Sequence, residues 1–247
     1  FNLAGQTSHL GSLQDSQADL RANAVNQLKL LQLCRQVNPS IRIVHTSTRQ
    51  VYGRPHYLPV DEVHPVSPVD YNGVSKLAGE QYHTICHNLY GLRTTCLRLT
   101  NVYGPRMRIK DPRQSFIGCW FHHALEGLEI PVFGDGTQIR DFNYVEDVVN
   151  ALLLCAVSPE ADGQTYNLGG DEPLALKDLA HSIVEIAGKG SWCLVPFPPE
   201  RLAIDIGDYH GDYSRIKTQL GWLPQVGLPE GITRTLDFYR LHGDAYR

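Results

Sequence analysis

The sequence predicts an α/β protein built on an open parallel sheet. Two short segments, 41–46 and 94–99, are dense in β-branched and apolar residues, and each follows a long segment with helical spacing of apolar residues, 15–36 and 72–89. This alternation is typical of parallel sheets, because a helix carries the chain back to the starting edge. Ligands of such sheets bind at the carboxyl ends of the strands, which makes the residues after 46 and 99 the first candidates for a functional site.

The other elements follow in chain order. Apolar residues recur at helical spacing between Leu20 and Leu33, and Pro39 follows that helix. Four prolines between residues 54 and 69 argue against regular structure there, and Gly91 suits the cap of the second helix. Further helices are predicted at 114–127, 144–157, 174–187 and 228–242, and a further strand at 130–133.

Composition and charge exclude several classes of protein. The 247 residues are 42% hydrophobic and 19% charged, which is ordinary for a globular protein with a real core. The formal net charge of -4 argues against non-specific nucleic-acid binding, which needs a basic face. No run of roughly 18 apolar residues predicts a membrane span, and no signal segment opens the chain.

Cysteines and histidines give no sign of a disulfide framework or a metal site. The six cysteines form no C-x-x-C pair and most lie in apolar runs. This pattern favours buried free thiols in a reducing, cytoplasmic compartment. Eleven histidines are scattered, and even His122-His123 lacks a matching ligand cluster, so no metal is expected.

A hydroxyl cluster stands at the predicted end of the first strand. The segment His45-Thr46-Ser47-Thr48-Arg49-Gln50-Val51-Tyr52-Gly53 leaves that strand, and Asn72-Gly73-Val74-Ser75-Lys76 opens the next helix. Asn72 and Lys76 share a helix face, because an α-helix has about 3.6 residues per turn. Hydroxyl groups facing a helix-borne lysine indicate where the chemistry takes place.

These residues resemble the extended short-chain dehydrogenases/reductases that modify nucleotide-activated sugars. The segment Thr48-Arg49-Gln50-Val51-Tyr52-Gly53 is similar to the family's hydroxyl-x-x-Val-Tyr-Gly segment, and Asn72-Gly73-Val74-Ser75-Lys76 is similar to its Tyr-x-x-x-Lys segment. In such enzymes the Tyr shuttles a proton at a sugar hydroxyl, the Lys holds the nicotinamide ribose and lowers the Tyr pKa, and Ser or Thr bonds the same sugar oxygen. The resemblance implies catalytic roles for Thr48 and Lys76, but Asn72 stands where the Tyr belongs.

Two residues are candidates for the role of the missing Tyr. Tyr71 lies five residues before Lys76 and would point roughly 140° away from it on a helix. Tyr71 could therefore act only from the loop before a helix that starts late, as Pro68 would allow. Asn72 cannot act as an acid or base, but it can hydrogen-bond a substrate hydroxyl or hold a water that moves the proton. Both remain open.

The resemblance implies a Rossmann-type doubly wound parallel sheet, truncated at its N-terminus, that binds NAD. The segment Phe1-Asn2-Leu3-Ala4-Gly5-Gln6 resembles the family's His-x-Ala-Ala-Gln segment, which closes the fourth strand, with Asn2 in place of His. No G-x-G-x-x-G turn occurs, so the adenosine half of the cofactor has no visible site and NADP is not excluded. The implied cofactor-binding residues are Ala4, Gly5, Gln6, Asn23, Ser47, Lys76 and Thr100.

Two further segments resemble the family's substrate-binding parts. Asn101-Val102-Tyr103-Gly104-Pro105 matches its Asn-x-Tyr-Gly-Pro loop, and residues 132–142 match its Val-x-Gly-Asp-Gly-x-Gln-x-Arg-Asp-Phe segment. The basic cluster from Arg106 to Arg113 suits a diphosphate, with a solvated basic face as the alternative. Arg140 would bind the diphosphate by resemblance, or form a structural ion pair with Asp141 or Asp147. The implied substrate-binding residues are Asn101, Arg113, Gln114, Val132, Arg140, Arg201 and Asp205.

The resemblance implies an NAD(P)-dependent C4 epimerase acting on a nucleotide-diphosphate sugar. The 4,6-dehydratases of the family carry Asp-Glu after the catalytic Thr, whereas Arg49-Gln50 occur here, which disfavours a dehydratase. A decarboxylase or reductase remains open. The alternative of another class is a catalytically impaired homologue that binds nucleotide sugars, because the Tyr and the Gly-rich turn are both missing.

The resemblance also implies a division of the chain and an assembly. Residues 1–104 and 163–170 correspond to the C-terminal part of the dinucleotide-binding Rossmann domain. Residues 105–162 and 171–247 correspond to a smaller α+β domain that binds the nucleotide sugar. Relatives pair through two long helices, which predicts a homodimer through the helices at 15–36 and 72–89.

Overall fold

Parallel pairing organises the strands of the protein. The structure, a computed structural model, describes residues 1–111 and 115–246. Its strands are β1 (Arg42–Thr48), β2 (Arg93–Leu99), β3 (Asn101–Tyr103), β4 (Glu129–Phe133), β5 (Ile139–Arg140), β6 (Phe142–Tyr144), β7 (Thr165–Asn167), β8 (Leu174–Ala175) and β9 (Ser191–Val195). Within these described residues the main sheet has the order β1-β2-β7, all parallel.

The start of the chain extends this sheet beyond β1. Asn2 bridges to His45 in parallel orientation: the amide of Asn2 donates to the carbonyl of Val44 at 2.8 Å, and the amide of Thr46 donates to the carbonyl of Asn2 at 3.3 Å. The segment after Asn2 therefore leaves the sheet at the same edge as the carboxyl ends of β1 and β2. This pairing brings residues 3–10 to the edge at which parallel sheets bind ligands.

Helices cover both faces of the main sheet. They are α1 (His9–Gln14), α2 (Ser16–Leu20), α3 (Asn26–Val37), α4 (Tyr71–Tyr90), α5 (Phe116–Glu126), α6 (Val145–Val157), α7 (Leu176–Ala187), α8 (Pro199–Leu202), α9 (Ser214–Leu220) and α10 (Leu228–His242), with a π-helical turn at Arg21–Val25 and 3-10 turns at Arg49–Tyr52, Pro159–Ala161 and Gly243–Tyr246. Side chains of β1 alternate between the faces: Ile43 packs with Leu31 of α3 and Cys86 of α4, whereas Val44 packs with Val148 of α6.

Helix α4 has a side-chain cap at its start and a glycine cap at its end. The Asp70 carboxylate accepts a hydrogen bond from the amide of Gly73 at 2.6 Å, which satisfies a free donor of the first turn. Gly91 ends the helix with φ 68°, a left-handed conformation that favours glycine. The helix begins at Tyr71, one residue earlier than the sequence predicted.

A second lobe has its own core and its own strands. Strands β4 and β9 pair in parallel, and their core side chains, among them Ile130 and Val132, pack against Phe121 of α5, Ile183 of α7 and Leu236 of α10. Two further short pairs, β3 with β6 in parallel and β5 with β8 in antiparallel orientation, connect this lobe to the main sheet. The crevice between the lobes lies at the carboxyl ends of β1 and β2.

The fold differs from the predictions at the first helix and at helix α6. The first predicted helix is helical from Ser16 to Val37 but contains the π-helical turn, which periodicity alone does not reveal. Helix α6 was assigned to the substrate domain, yet it packs on β1 and shares the core of the main sheet. The domain boundaries remain a prediction. All six cysteines are free, with Cys34, Cys119 and Cys193 partly exposed.

Within residues 1–111 and 115–246, none of the helices combines the length and the apolar character needed to span a bilayer.

Candidate active site between the two lobes

A cavity of about 800 Å³ lies between the two lobes. The main sheet contributes residues after β1 and β2, helix α4 contributes two side chains, and the second lobe closes the other side. The lining includes Ser47, Thr48, Arg49, Gln50, Asn72, Lys76, Thr100, Asn101, Arg140, Arg201 and Asp205. Thr48 and Lys76 thus face one cavity, as the sequence predicted for a site at the strand ends.

Thr48 is held by the turn that follows β1. Its hydroxyl accepts a hydrogen bond from the backbone amide of Gln50 at 3.2 Å and caps the 3-10 turn Arg49–Tyr52. The hydroxyl proton is not used in this bond and can be donated to a ligand. The neighbouring Ser47 hydroxyl is buried and has no hydrogen-bond partner among the described residues. The end of β1 therefore offers two hydroxyl groups to a bound molecule.

Asn72 is buried and uses its amide group inside the protein. Its Nδ2 donates to the Gln6 carbonyl at 3.0 Å and to Asp19 Oδ2 at 2.8 Å. The Asn23 amide group also donates to these two acceptors, at 3.0 and 3.1 Å. Asn72 therefore joins α4 to the segment after Asn2 and to the helix that carries Asp19. This network positions the start of α4, and the Asn72 side chain itself carries no titratable group.

Tyr71 points away from the cavity. It is the first residue of α4, its side chain is 55% exposed, and it is absent from the residues that line the cavity. The proposed role of Tyr71 required a helix that starts after it, with Tyr71 in the preceding loop. That requirement is not met, because Asp70 caps the helix one residue earlier than predicted.

Lys76 is buried beneath the segment that enters from Asn2. Burial lowers the pKa of its ammonium group, and the nearby Asp19 carboxylate opposes this shift. The backbone of Gly5 approaches closely, since a Cβ atom built there would lie 2.8 Å from Lys76 Nζ and 2.7 Å from Asn23 Oδ1. Glycine at position 5 therefore leaves room for the ammonium group and the Asn23 amide, which a larger residue would displace.

The predicted cofactor-binding residues line two adjoining cavities. Ser47, Lys76 and Thr100 face the cavity between the lobes. Ala4, Gly5 and Gln6 line a smaller cavity of about 490 Å³ on the side of Asn26 and Leu30, and Thr7 belongs to both cavities. Asn23 lies buried between them and bonds to Gln6.

Four of the predicted substrate-binding residues, Asn101, Arg140, Arg201 and Asp205, face the cavity between the lobes. Asn101 donates from Nδ2 to the Asp141 carbonyl at 3.0 Å, and Arg140 forms an ion pair with Asp205 at 3.2 Å. Burial and the neighbouring Arg49 lower the pKa of Arg140 to about 10. The structural partner of Arg140 is thus Asp205, and neither Asp141 nor Asp147 pairs with its guanidinium.

One predicted substrate-binding residue, Val132, does not contribute in this way. The side chain of Val132 points into the core of the second lobe, while its neighbours Pro131 and Phe133 line the cavity. Alternate side chains of a strand face opposite sides of the sheet. The prediction was therefore wrong by one residue, because Val132 belongs to the side of β4 that faces the core. Arg113 and Gln114 lie outside the described residues.

Comparison with known proteins identifies the family. Residues 1–169 match the model of the NAD dependent epimerase/dehydratase family. The UDP-glucose 4-epimerase of Mycolicibacterium smegmatis is 34% identical over 97% of this chain and 75% of that protein, and a dTDP-glucose 4,6-dehydratase of Streptomyces niveus is 30% identical over 97% of this chain and 69% of that protein. The solved UDP-glucose 4-epimerase of Thermotoga maritima with UDP-glucose superposes with a TM-score of 0.88 at 29% identity, over 97% of this chain and 76% of that one.

The chain belongs to the NAD-dependent epimerase/dehydratase family. Its main sheet is the Rossmann-type parallel sheet that the resemblance implied, and the family is one of enzymes that use NAD. The described residues fit the nicotinamide half of that cofactor: Ser47 keeps an unpartnered buried hydroxyl, and Lys76 Nζ stands beside the bare Cα of Gly5. These groups would bind a ribose and leave room for its approach.

Sequence reasoning assigned no role to two side chains of the epimerase/dehydratase cavity, Arg49 and His9. Burial lowers the pKa of Arg49, and its buried Nε has no hydrogen-bond partner among residues 1–111 and 115–246. His9 lines the cavity with its ring bonded to Asp70, and Lys110, a member of the predicted basic cluster, also lines it. Arg49 could have been found, since it directly follows Thr48. His9 carries no sequence signal, because its partner lies 61 positions away.

Proposed function

We propose that the protein is an NAD(P)-dependent epimerase that acts on a nucleotide-diphosphate sugar, similar to UDP-glucose 4-epimerases. One observation carries this proposal: Thr48, Lys76 and Arg140 line a single cavity between the two lobes. These three side chains supply a hydroxyl, an ammonium group and a guanidinium. The reaction needs such groups for the sugar oxygen, the cofactor ribose and the diphosphate respectively.

On the sheet side, the residues would position the sugar and the cofactor. The Thr48 hydroxyl would donate to the reacting sugar oxygen, since its lone pair already accepts from the amide of Gln50. Lys76 and Ser47 would bind the nicotinamide ribose. NAD(P), when bound there, would supply the group that accepts and donates the hydride. Lys76 also places a positive charge near the sugar oxygen, which favours loss of its proton.

On the opposite side, the second lobe would bind the nucleotide diphosphate. Arg140 is held by Asp205, so its guanidinium is already oriented before the ligand arrives. Asn101 is held in the same way by its bond to the Asp141 carbonyl. Arg201 lies over the ring of Phe133, 5.5 Å from its centroid, at the edge of the same cavity. Cationic groups that are fixed in advance suit an anionic ligand such as a diphosphate.

The residues after Thr48 favour an epimerase over a dehydratase. Elimination of water from a sugar needs an acid and a base at the reacting carbons, and Arg49 and Gln50 supply neither at neutral pH. Both side chains face the cavity. We therefore expect the product to be the C4 epimer of the sugar nucleotide, with all of the sugar's hydroxyl groups retained.

A catalytically impaired nucleotide-sugar-binding protein is the second candidate. Asn72 favours it, because this residue replaces the Tyr of the family and spends its amide protons on Gln6 and Asp19. This candidate retains binding through Arg140 and predicts no chemical change in the bound sugar.

The test is incubation of the purified chain with NAD and UDP-glucose, followed by NMR of the sugar nucleotides and by absorbance at the reduced-nicotinamide band. An epimerase yields the C4 epimer, and Thr48→Val should lower this rate by about 100-fold. Binding of UDP-glucose without any new sugar signal would favour the impaired homologue. Absence of binding would overturn both candidates.

A further inference from the structure

The cavity needs a group that accepts and returns a proton, and neither residue near the family's Tyr position provides one. Tyr71 lies outside the cavity and Asn72 does not titrate. In an epimerase, the sugar hydroxyl loses its proton when the neighbouring C–H bond breaks. A second side chain of the cavity must therefore take this proton if the proposed function holds.

His9 has the arrangement of an oriented general base. Its ring lines the cavity, and Nδ1 lies 2.6 Å from Asp70 Oδ2. The Asp70 side chain is fully buried at 0% exposure, whereas the His9 side chain is 37% exposed. A carboxylate on Nδ1 keeps the ring proton there and leaves the lone pair on Nε2. The ring can therefore accept a proton from a molecule in the cavity.

The His9–Asp70 pair is tied to the turn that holds Thr48. The Gln50 side chain reaches the same Asp70 oxygen at 3.4 Å, while the backbone amide of Gln50 donates to the Thr48 hydroxyl. Asp70 also caps α4, the helix that carries Lys76. One buried carboxylate thus connects the imidazole to the threonine turn and to the lysine helix.

The other carboxylate, thiol and imidazole groups that line the cavity are less suited to this task. Asp205 is occupied by its ion pair with Arg140. Burial raises the pKa of the Cys119 thiol above its ordinary value, so the thiol stays protonated at neutral pH and cannot accept the proton. His123 directs Nδ1 to the carbonyl of Glu129 at 2.8 Å, and both His123 and its neighbour His122 belong to α5, on the second lobe. His9, by contrast, is connected to Thr48 by hydrogen bonds through Asp70 and Gln50.

We propose that Nε2 of His9 is the proton acceptor and donor for the sugar hydroxyl that Thr48 binds. The O–H bond breaks and an N–H bond forms at Nε2, while the adjacent C–H bond gives its hydride to the nicotinamide dinucleotide and the C–O bond becomes a carbonyl. The reverse transfer delivers hydride to the opposite face and returns the proton to oxygen. This inference rests on the proposed function and adds the residue that carries the proton.

The kinetic test compares His9→Ala and Asp70→Asn with His181→Ala, a substitution of an exposed histidine that does not line the cavity. Removal of a general base lowers kcat by about 100-fold or more, so His9→Ala should show that loss while the Kd for UDP stays within about twofold. Asp70→Asn keeps a capping side chain but loses the charge that orients the ring, so kcat should fall with KM little changed. His181→Ala should behave like the unaltered chain.

Rescue distinguishes proton transfer from a structural role. Added imidazole should restore turnover of His9→Ala, with substituted imidazoles ranked by their basicity. A purely structural His9 would give no such ranking. In ¹⁵N NMR of histidine-labelled protein, the Nε2 signal of His9 should move on addition of UDP-glucose and stay in place with UDP, which lacks the sugar.

The outcomes separate this inference from the proposed function. If the unaltered chain turns over UDP-glucose and His9→Ala retains kcat, or loses it without rescue by imidazole, the role of His9 is overturned and the epimerase proposal stands. If the unaltered chain produces no new sugar, the epimerase proposal fails first and the role of His9 fails with it.

Discussion

At the scale of single residues, the cavity is built from buried polar groups that hold one another in place. Asn72 donates inward to Gln6 and Asp19, and Arg140 is anchored by Asp205. Such networks rigidify a site when every member is satisfied. The groups left without a protein partner, such as the Ser47 hydroxyl and Arg49 Nε, are then the ones available for a ligand.

Arg140→Lys tests the proposed diphosphate contact. Lysine keeps the charge but loses the planar fork that grips two phosphate oxygens. Loss of one hydrogen bond to a charged group should raise the Kd for UDP by about tenfold or more. Calorimetric titration with UDP measures this effect, and Arg234→Lys, which alters a surface arginine, is the matched control. Equal affinities of the two variants would contradict the assignment.

A buried histidine pair makes stability depend on pH. His45 and His83 stack with their ring centroids 4.5 Å apart, and none of their ring nitrogens has a hydrogen-bond partner among the described residues. Burial lowers the pKa of His83 to about 4, below the value of about 6.5 in the unfolded chain. The unfolded state therefore binds more protons between these values, so stability is full above pH 6.5 and is lost as the pH falls towards 4.

We expect the free energy of unfolding to fall by about 3 kcal/mol over this range because of His83 alone. Urea denaturation at several pH values measures it. His83→Phe should make the dependence less steep, because phenylalanine keeps the stacked ring and does not titrate while His45 still does, whereas His181→Ala should leave it unchanged. A dependence that is equally steep in His83→Phe would contradict this explanation.

At the scale of elements, the start of α4 positions the site. Asp70 caps this helix, accepts from Gln50 and holds His9, so it fixes where Asn72 and Lys76 face the cavity. An unfilled cap costs about 0.5–2 kcal/mol in proteins. The consequences of altering Asp70 should therefore appear in stability as well as in turnover.

Asp70→Ala should lower the free energy of unfolding by about 2 kcal/mol, because the amide of Gly73 loses its partner and the negative charge at the helix start disappears. Asp70→Asn, which can still cap, should lose less. Asp15→Ala removes the cap of the five-residue helix α2 and should cost less than Asp70→Ala. Equal losses for Asp15→Ala and Asp70→Ala in urea denaturation would argue against a special role of Asp70.

Sequence reasoning succeeded for elements with strong periodicity and failed where partners are distant. The strands β1 and β2 and the helices α4 and α10 follow from their apolar patterns and end signals. Strand β9 was missed, because its exposure shows no clean alternation along Ser191–Val195. The partner of Arg140 was sought at Asp141 or Asp147 and lies 65 positions away at Asp205. Tertiary packing decides such pairings, and local spacing carries no trace of them.

At the scale of the whole molecule, two adjacent helices leave an apolar face exposed. Leu33 of α3 is 57% exposed and Leu89 of α4 is 68% exposed, and Val37 and Ile85 lie on the same pair of helices. Arg35 lies over the ring of Tyr90 at 4.1 Å and joins the two helices. Contiguous exposed apolar residues mark interaction surfaces. The predicted homodimer contact would use this face of the two helices.

We therefore expect the protein to form a dimer, and we expect a charge introduced on this face to dissociate it. Leu33→Glu with Leu89→Glu should shift sedimentation velocity to the monomer, because a dimer would bury the new carboxylates without partners. Leu241→Glu changes a leucine that is 79% exposed on α10 and should leave the assembly unchanged. A monomeric unaltered chain, or a dimer that survives both changes on α3 and α4, would contradict this assembly.

The central claim is that one nucleotide sugar spans the crevice, with its diphosphate on the second lobe and its reacting hydroxyl at the end of β1. A crystal structure of the chain with UDP-glucose measures this directly. We expect phosphate oxygens on Arg140 and a sugar hydroxyl within about 2.6–3.2 Å of the Thr48 hydroxyl. A sugar turned away from Thr48 and Lys76, or UDP-glucose bound outside this cavity, would contradict it.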